Sequence, residues 1–152
     1  MIIRVKITVD DDVVEKYKIA DRSQIVFLVL VYLNDPDGWG KHGYYFEEVS
    51  YGEKVHIRLS SNETINKECG FDKKLSCAIL GGNKMWLNAE RWFHGSRKSK
   101  LSLDDYRQYM VSHEIGHILG HEHSDCKCKG CKAPIMMQQT LGIGQCKPNT
   151  SV

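Results

Sequence analysis

Residues 113–123 read HEIGHILGHEH, and this stretch decides how the rest of the chain is interpreted. An α-helix advances about 1.5 Å and turns about 100° per residue, so His113 and His117 lie one turn apart on one face and can reach one tetrahedral metal ion. Glu114 lies on the flank of the same turn, where its carboxylate falls short of the metal but can take a proton from metal-bound water. The spacing predicts two zinc ligands and a general base.

A glycine then predicts where this helix ends. Gly120 adopts a positive φ without steric cost, so it can end the helix and return the chain toward the metal, which brings in His123 as the third ligand. Three protein ligands leave the fourth position for water, as in catalytic zinc sites, whereas structural sites close all four positions. A helix with merely solvated histidines is the alternative, and the complete HExxHxxGxxH spacing disfavours it. We expect one Zn²⁺ per chain, and the role of His121 is left open.

Length and charge limit the other classes of protein. A chain of 152 residues fits a single core, so we expect residues 1–152 to form one domain. The net charge of +2 and the pI near 8.2 are close to balanced, so no nucleic acid and no membrane is expected as a partner. The longest apolar run, Ile25–Leu33, has about half the length needed to span a bilayer. It begins too late, after Asp10–Asp12, to be a signal peptide, so we expect a secreted form to have lost a leader.

The six cysteines are many for a cytosolic enzyme, and their even number suits a secreted or extracytoplasmic protein. They allow two arrangements. All of them can pair as disulfides, and sequence alone does not fix the pairing. Alternatively, a C-x-C-x2-C segment with a fourth thiol can close a tetrahedron around a second, structural zinc ion, with the ligands Cys126, Cys128, Cys131 and Cys146.

The first third of the chain predicts a strand, a helix and a turn. Residues Ile3–Val9 alternate apolar with polar side chains, which is typical of a strand with one buried face. The apolar run that follows, with Asp21 or Ser23 as its N-cap, predicts a buried helix, although its β-branched residues leave a strand as the alternative. Asp35–Gly38 is a strong turn signal, and we expect Trp39 after it to anchor the core.

The middle of the chain predicts short strands. Tyr44–Ser50 and Lys54–Ser60 read as two strands, and their local pattern favours a hairpin. Polar residues from Ser61 to Leu75 predict a surface loop. Ser76–Leu80 and Lys84–Ala89 predict two further strands that are joined by a tight glycine turn.

The helix that carries the motif has a clear start. Ser102 followed by Asp105 forms a capping box, which predicts a helix from about Leu103 to Leu119. Gly116 inside this helix costs about 1 kcal/mol relative to Ala, which is tolerable if another group must approach closely there. We assign no role to the isolated histidines His42, His56 and His94.

At residues 113–123 the sequence resembles the metzincin clan of zinc endopeptidases, whose signature is HExxHxxGxxH followed by a methionine-containing turn beneath the metal. Residues 133–138, which read APIMMQ, match that turn, with Met136 in the favoured register and Met137 as the alternative. The sequence resembles more closely a family of uncharacterised, mostly actinobacterial, predicted zinc peptidases. That resemblance spans most of the chain and is carried by the helix motif and by NDPDGWG at 34–40, WLNAERW at 86–92 and MMQQTLG at 136–142.

The resemblance implies an α+β fold, a compact metzincin-like single domain with a mixed twisted sheet of about five strands, a backing helix and an active-site helix. It implies crossover connections in place of the hairpin, and it makes Ser76–Leu80 the edge strand with which an extended peptide pairs. The family also carries cysteines at matching places. We therefore prefer two disulfides, Cys69 with Cys77 and Cys126 with Cys146, over the second zinc site, and Cys128 and Cys131 are extra.

Together, the residues and the resemblance predict a zinc metalloendopeptidase that hydrolyses peptide bonds with a metal-activated water and Glu114 as general base. We expect a monomer that acts on a peptide or protein substrate. The additional tyrosine of some metzincins is not supported, because Met137 and Gln138 occupy that region. Two alternatives remain: a zinc-stabilised binding module without turnover, and a zinc amidase that acts on a cell-wall or small-molecule amide.

Overall fold

The computed structural model of the chain describes residues 1–70 and 74–152, and these residues form one mixed sheet with helices. The strands are β1 (Ile2–Val9), β2 (Tyr45–Glu48), β3 (Val55–Ser60), β4 (Cys77–Ala78) and β5 (Lys84–Asn88). Their order across the sheet is β2-β1-β3-β5-β4. The first four strands in this order are parallel, and β4 runs antiparallel to β5 at the edge.

The helices of the described residues are α1 (Asp11–Lys16), α2 (Arg22–Leu33), α3 (Asn62–Cys69), α4 (Ala89–His94) and α5 (Leu103–Ile118). Short 3₁₀ turns lie at Trp39–His42, Arg97–Ser99 and Gln139–Leu141. Asp21 accepts a hydrogen bond from the Ser23 amide at 2.9 Å and so satisfies one of the free N–H groups that begin α2.

The alternation predicted for β1 decides where the core lies. Its odd-numbered residues, from Ile3 to Val9, are all buried, whereas Arg4, Lys6 and Thr8 point to the more exposed face. Helix α2 packs against β1, α5 packs against β5, and the two helices contact each other. The expected α+β fold with a mixed sheet of about five strands, a backing helix (α2) and a helix that carries the motif (α5) is therefore confirmed.

The local hairpin between the second and third strands is wrong, and the crossover implied by the resemblance is correct. Strands β2 and β3 flank β1 and both run parallel to it. The connecting segment is bonded to β1 at both ends, because Val49 N–H donates to the Val5 carbonyl at 2.8 Å and Lys54 N–H donates to the Arg4 carbonyl at 2.9 Å. A hairpin pattern in the sequence does not reveal that a third strand inserts between its two arms.

The surface loop predicted for Ser61–Leu75 is also wrong over most of its length. Residues Asn62–Cys69 form helix α3, with the Ser61 hydroxyl accepting from the Thr64 amide at 3.1 Å and Gly70 ending the helix at φ +78°. Among the described residues of this helix, Ile65 is the one whose side chain is fully buried. One buried residue in a polar segment gives a weak periodic signal. Residues 71–73 of the predicted loop lie outside the described residues.

The prediction of a buried helix over the apolar run Ile25–Leu33 is correct only in part. The apolar run is helical and not a strand, but the helix is buried on one face only. Ile25, Val29 and Leu33 are buried, whereas Phe27 is 65% exposed and Val31 is 46% exposed.

Strand β4 is shorter than the predicted Ser76–Leu80. The tight turn from β4 to β5 is present, with Gly82 N–H donating to the Ile79 carbonyl at 2.8 Å.

All six cysteines lie in the described part of the chain and all are paired. The two preferred disulfides, Cys69–Cys77 and Cys126–Cys146, are present. The extra cysteines Cys128 and Cys131 pair with each other, so the alternative of a second zinc site is wrong in this structure. Three disulfides indicate an extracytoplasmic or secreted protein. Within residues 1–70 and 74–152, no helix is both long and apolar enough to cross a membrane.

Candidate metal centre

Helix α5 is delimited by the two residues that the sequence singles out. The Ser102 hydroxyl accepts from the Asp105 amide at 3.2 Å at the start of the helix. At its end, Gly120 has φ +98° and donates its N–H to the His117 carbonyl at 3.0 Å, while His121 N–H donates to the Gly116 carbonyl at 2.9 Å. This pair of bonds is a Schellman motif, and it turns the chain back across the helix end.

The turn brings three histidines together. The metal-binding nitrogens of His113, His117 and His123 all lie within 4.8 Å of one another. The Nε2 atoms of His117 and His123 are 3.1 Å apart, and the ring centroid of His113 is 4.9 Å from that of His117. Three imidazole nitrogens at this separation form a cluster that can bind a metal ion.

Two of these imidazoles are oriented by backbone carbonyls. His113 Nδ1 lies 2.8 Å from the Ile135 carbonyl, and His117 Nδ1 lies 2.8 Å from the His121 carbonyl. A carbonyl oxygen can only accept, so each Nδ1 carries the proton and each Nε2 keeps its lone pair free. This tautomer directs Nε2 toward the cluster, as metal-ligating histidines require.

The electrostatic setting also favours neutral imidazoles. Burial lowers the pKa of His113 to about 3, and burial is also the main cause of the lowered pKa values of His117 and His123. The neutral form is the form that binds a metal, so the three ligands need no deprotonation at neutral pH.

Glu114 lies beside the cluster in an environment that does not suit an isolated carboxylate. Glu114 is 6% exposed, and its Oε2 atom is buried without a hydrogen-bond partner among the described residues. Burial raises the pKa of Glu114 to about 8. A buried carboxyl oxygen without a partner among the described residues, in the same cleft as three converging imidazoles, fits a cation with its bound water, and the residues present therefore fit zinc.

Met136, the methionine of the favoured register, packs against α5 at Gly116. The Met137 amide donates to the Pro134 carbonyl at 2.9 Å and closes a turn around Met136, which is 5% exposed. A Cβ atom added to Gly116 would collide with Met136 Sδ and would lie 2.8 Å from Trp39 Cζ2. The close approach that a helical glycine suggests is therefore present. Met137, the alternative, is only half-buried.

Sequence reasoning missed a tyrosine that holds this turn. The Tyr109 hydroxyl donates to the Met137 carbonyl and accepts from the Gln139 amide, each at 2.9 Å. Its ring centroid lies 5.3 Å from that of His113. Tyr109 precedes His113 by one helical turn, and this i, i+4 spacing was the available signal.

The cluster opens into a cleft of about 540 Å³ between α5 and the edge strand β4. Its walls include Ala78 and Leu80 on the strand side, Tyr106 and Met110 from the helix, and Thr140 and Leu141 from the C-terminal segment. His113, Glu114, His117 and His123 all contribute to the same cleft. The residues that the motif predicts for chemistry thus face one space of ligand size.

The remaining histidines lie elsewhere. His56 contacts the Thr8 hydroxyl at 2.8 Å on the sheet, and His94 lies beside Tyr17. His121 and His42 both contact the ring of Trp39 and do not belong to the ligand cluster.

The chain is therefore an α+β protein with a cluster of three histidines that could bind a metal ion, two of them on α5 and the third in the segment that follows it. The chain matches over residues 3–149 the family model described as "Protein of unknown function (DUF3152)", and it belongs to that family. A search of curated proteins gave no match.

Several solved structures are similar to the chain. Two are structures of myroilysin, with TM-scores of 0.48 and identities of 17% and 18%; they match 81% and 88% of this chain and 49% and 46% of theirs. A third is archaemetzincin from Archaeoglobus fulgidus in complex with malonate, with a TM-score of 0.46, 15% identity, and coverage of 98% of this chain and 95% of that one. This chain spans about half the length of the myroilysin chains.

Proposed function

We propose that this protein is a zinc-dependent endopeptidase with Glu114 as its general base. One observation carries the proposal: a buried carboxyl oxygen of Glu114, which has no partner within residues 1–70 and 74–152, lies in the same cleft as three histidine side chains whose ligand nitrogens converge. The HExxHxxGxxH spacing supports the same chemistry.

The Nε2 atoms of His113 and His117 and a ring nitrogen of His123 would hold the ion, with the fourth position left to water. Zinc bound there supplies a Lewis acid that lowers the pKa of water to near 7 and polarises the scissile carbonyl. The Ile135 and His121 carbonyls keep the first two imidazoles in the productive tautomer.

Glu114 would move the protons. Its Oε2 atom has no competing hydrogen bond from the described residues, so it is free to accept a proton from the attacking water and to deliver it to the leaving amine. Positive charge held by the three imidazoles would lower the raised pKa of Glu114, because an opposite charge nearby favours the carboxylate. Glu114 would then be ionised at neutral pH.

The cleft is consistent with an extended peptide. Strand β4 is the last strand in the sheet order, and Ala78 lies in the wall of the cleft beside the histidine cluster. An extended substrate can add to such an edge through main-chain hydrogen bonds. A non-catalytic zinc-binding module is disfavoured, because a scaffold gains nothing from a buried unpartnered carboxylate, which costs free energy.

Cleavage of a broad peptide library by zinc-loaded protein, with and without a chelator, tests the proposal. We expect cleavage at internal peptide bonds that the chelator abolishes and added zinc restores. Cleavage that survives complete removal of the metal would contradict it. If the protein hydrolyses cell-wall or small-molecule amides and leaves the peptide library uncleaved, it is an amidase and not a peptidase.

A further inference from the structure

Trp39 contacts three parts of the metal centre although it is distant in sequence. Its indole is 4% exposed, and Nε1–H donates to the Ser112 carbonyl at 2.8 Å, immediately before His113. Cζ2 of the same ring lies 2.8 Å from where a Gly116 Cβ would stand, so the indole packs directly on the helix backbone one residue before His117.

A further contact of the indole is the ring of His121. The two rings are stacked, with centroids 4.6 Å apart and an angle of 26° between their planes. The backbone of His121 in turn contacts the ligand-bearing helix twice. Its N–H donates to the Gly116 carbonyl at 2.9 Å, and its carbonyl accepts from His117 Nδ1 at 2.8 Å.

We propose that Trp39 and His121 are positioning residues. The stack of their two rings fixes the His121 carbonyl, and this carbonyl orients the metal ligand His117. This inference rests on the proposed zinc site. The His121 side chain is exposed and lies outside the ligand cluster of the described residues, so it does not serve direct coordination. Its ring instead restrains a short loop whose carbonyl must stay within hydrogen-bond distance of an imidazole.

The role depends on aromatic stacking and not on the imidazole nitrogens. A phenylalanine at position 121 keeps a flat ring for Trp39, whereas an alanine removes it. His121→Ala should therefore leave the carbonyl less well fixed and let His117 reorient, which speeds loss of the metal. His121→Phe should keep the carbonyl in place.

The test measures the rate of zinc transfer from loaded protein to a chromogenic chelator. We expect His121→Ala to release zinc about tenfold faster than wild type or more, and His121→Phe to stay within about threefold of wild type. His42→Ala is the matched control, because His42 also contacts Trp39, at a centroid distance of 5.7 Å, but does not contact His117 in the described structure. Its release rate should equal that of wild type.

A second readout separates positioning from general stability. The melting temperature of the metal-free protein should fall only slightly in His121→Ala, because the side chain is exposed and loses a single ring contact, and a tenfold faster release of zinc would exceed that small loss. Wild-type protein that holds no zinc would overturn the proposed function itself. Zinc-loaded wild type with equal release from His121→Ala would overturn only this inference, and so would a His121→Phe rate as fast as that of His121→Ala.

Discussion

The amide of Gly81 donates a 2.8 Å hydrogen bond to the carbonyl of His117. This bond joins the turn between β4 and β5 to the end of the helix that carries two of the three histidines. Gly81 has φ +62°, a conformation that glycine adopts without strain, so the turn can present its N–H to the helix. The turn that follows β4, the strand on one side of the cleft, is therefore hydrogen-bonded to the backbone of a candidate metal ligand.

Gly116→Ala should destabilise the protein although alanine is the better helix former. The added Cβ would collide with Met136 Sδ and lie 2.8 Å from Trp39 Cζ2, and overpacking of this kind costs about 1–3 kcal/mol. Denaturant unfolding measures the loss. Gly40→Ala is the control, because its Cβ would meet nothing closer than the Asp35 carbonyl at 4.0 Å. Equal stability of Gly116→Ala and wild type would contradict the packing described here.

His117→Ala should lose metal and activity together. The substitution removes one of three converging imidazoles, and two ligands hold zinc much more weakly than three. Metal analysis of purified protein should give close to one zinc per chain for wild type and far less for the variant. His94→Ala, which lies away from the cluster beside Tyr17, should retain wild-type zinc content. Full occupancy in His117→Ala would exclude this residue as a ligand.

The disulfide Cys126–Cys146 should contribute more to stability than Cys128–Cys131. Its cysteines are 20 positions apart, against 3 for the other pair, so the chain-entropy model assigns it about 3 kcal/mol and the shorter pair about 2 kcal/mol. The two double Cys→Ser variants, compared by denaturant unfolding under oxidising conditions, measure the difference. Mass spectrometry of an unreduced wild-type digest should first show both pairs. A larger loss for the shorter pair would contradict the prediction.

His56 should make the protein less stable in mild acid. Its pKa is lowered from 6.5, mainly by burial and further by Lys6 and Arg58, with Glu53 and Asp10 acting in the opposite direction. Below pH 6.5 the unfolded chain therefore takes up a proton at His56 more readily than the folded protein does. The contribution of His56 to the free energy of unfolding is fully present above that pH and is lost as the pH falls. Between pH 7.5 and 5.5, zinc-loaded His56→Asn should lose less stability than wild type. Equal losses would show that His56 does not contribute.

The sequence predicted the clustering of His113, His117 and His123 because its determinants are local. His113 and His117 lie one turn apart on one helix, where 3.6-residue geometry places them without knowledge of the rest of the fold, and Gly120 ends that helix two residues after its last residue. The same holds for the capping residue Ser102, which contacts a residue three positions away.

The errors arise where distant segments decide the structure. A third strand lies between Tyr45–Glu48 and Val55–Ser60, and the pattern of either segment carries no record of it. The stack of Trp39 on His121 likewise joins two segments that no spacing rule connects. Helix α3 was missed for another reason, since Ile65 is its one buried residue in the described structure and a single apolar position shows no period.

Cleavage of casein by wild type and Glu114→Gln, both loaded with zinc, shows whether Glu114 is the general base. Glutamine keeps the size and shape of Glu114 but cannot accept the proton of the attacking water. We expect equal zinc content, similar folding and a rate that falls by roughly a thousandfold or more in the variant. If Glu114→Gln binds zinc and cleaves casein as fast as wild type, Glu114 is not the base and the proposed mechanism is wrong.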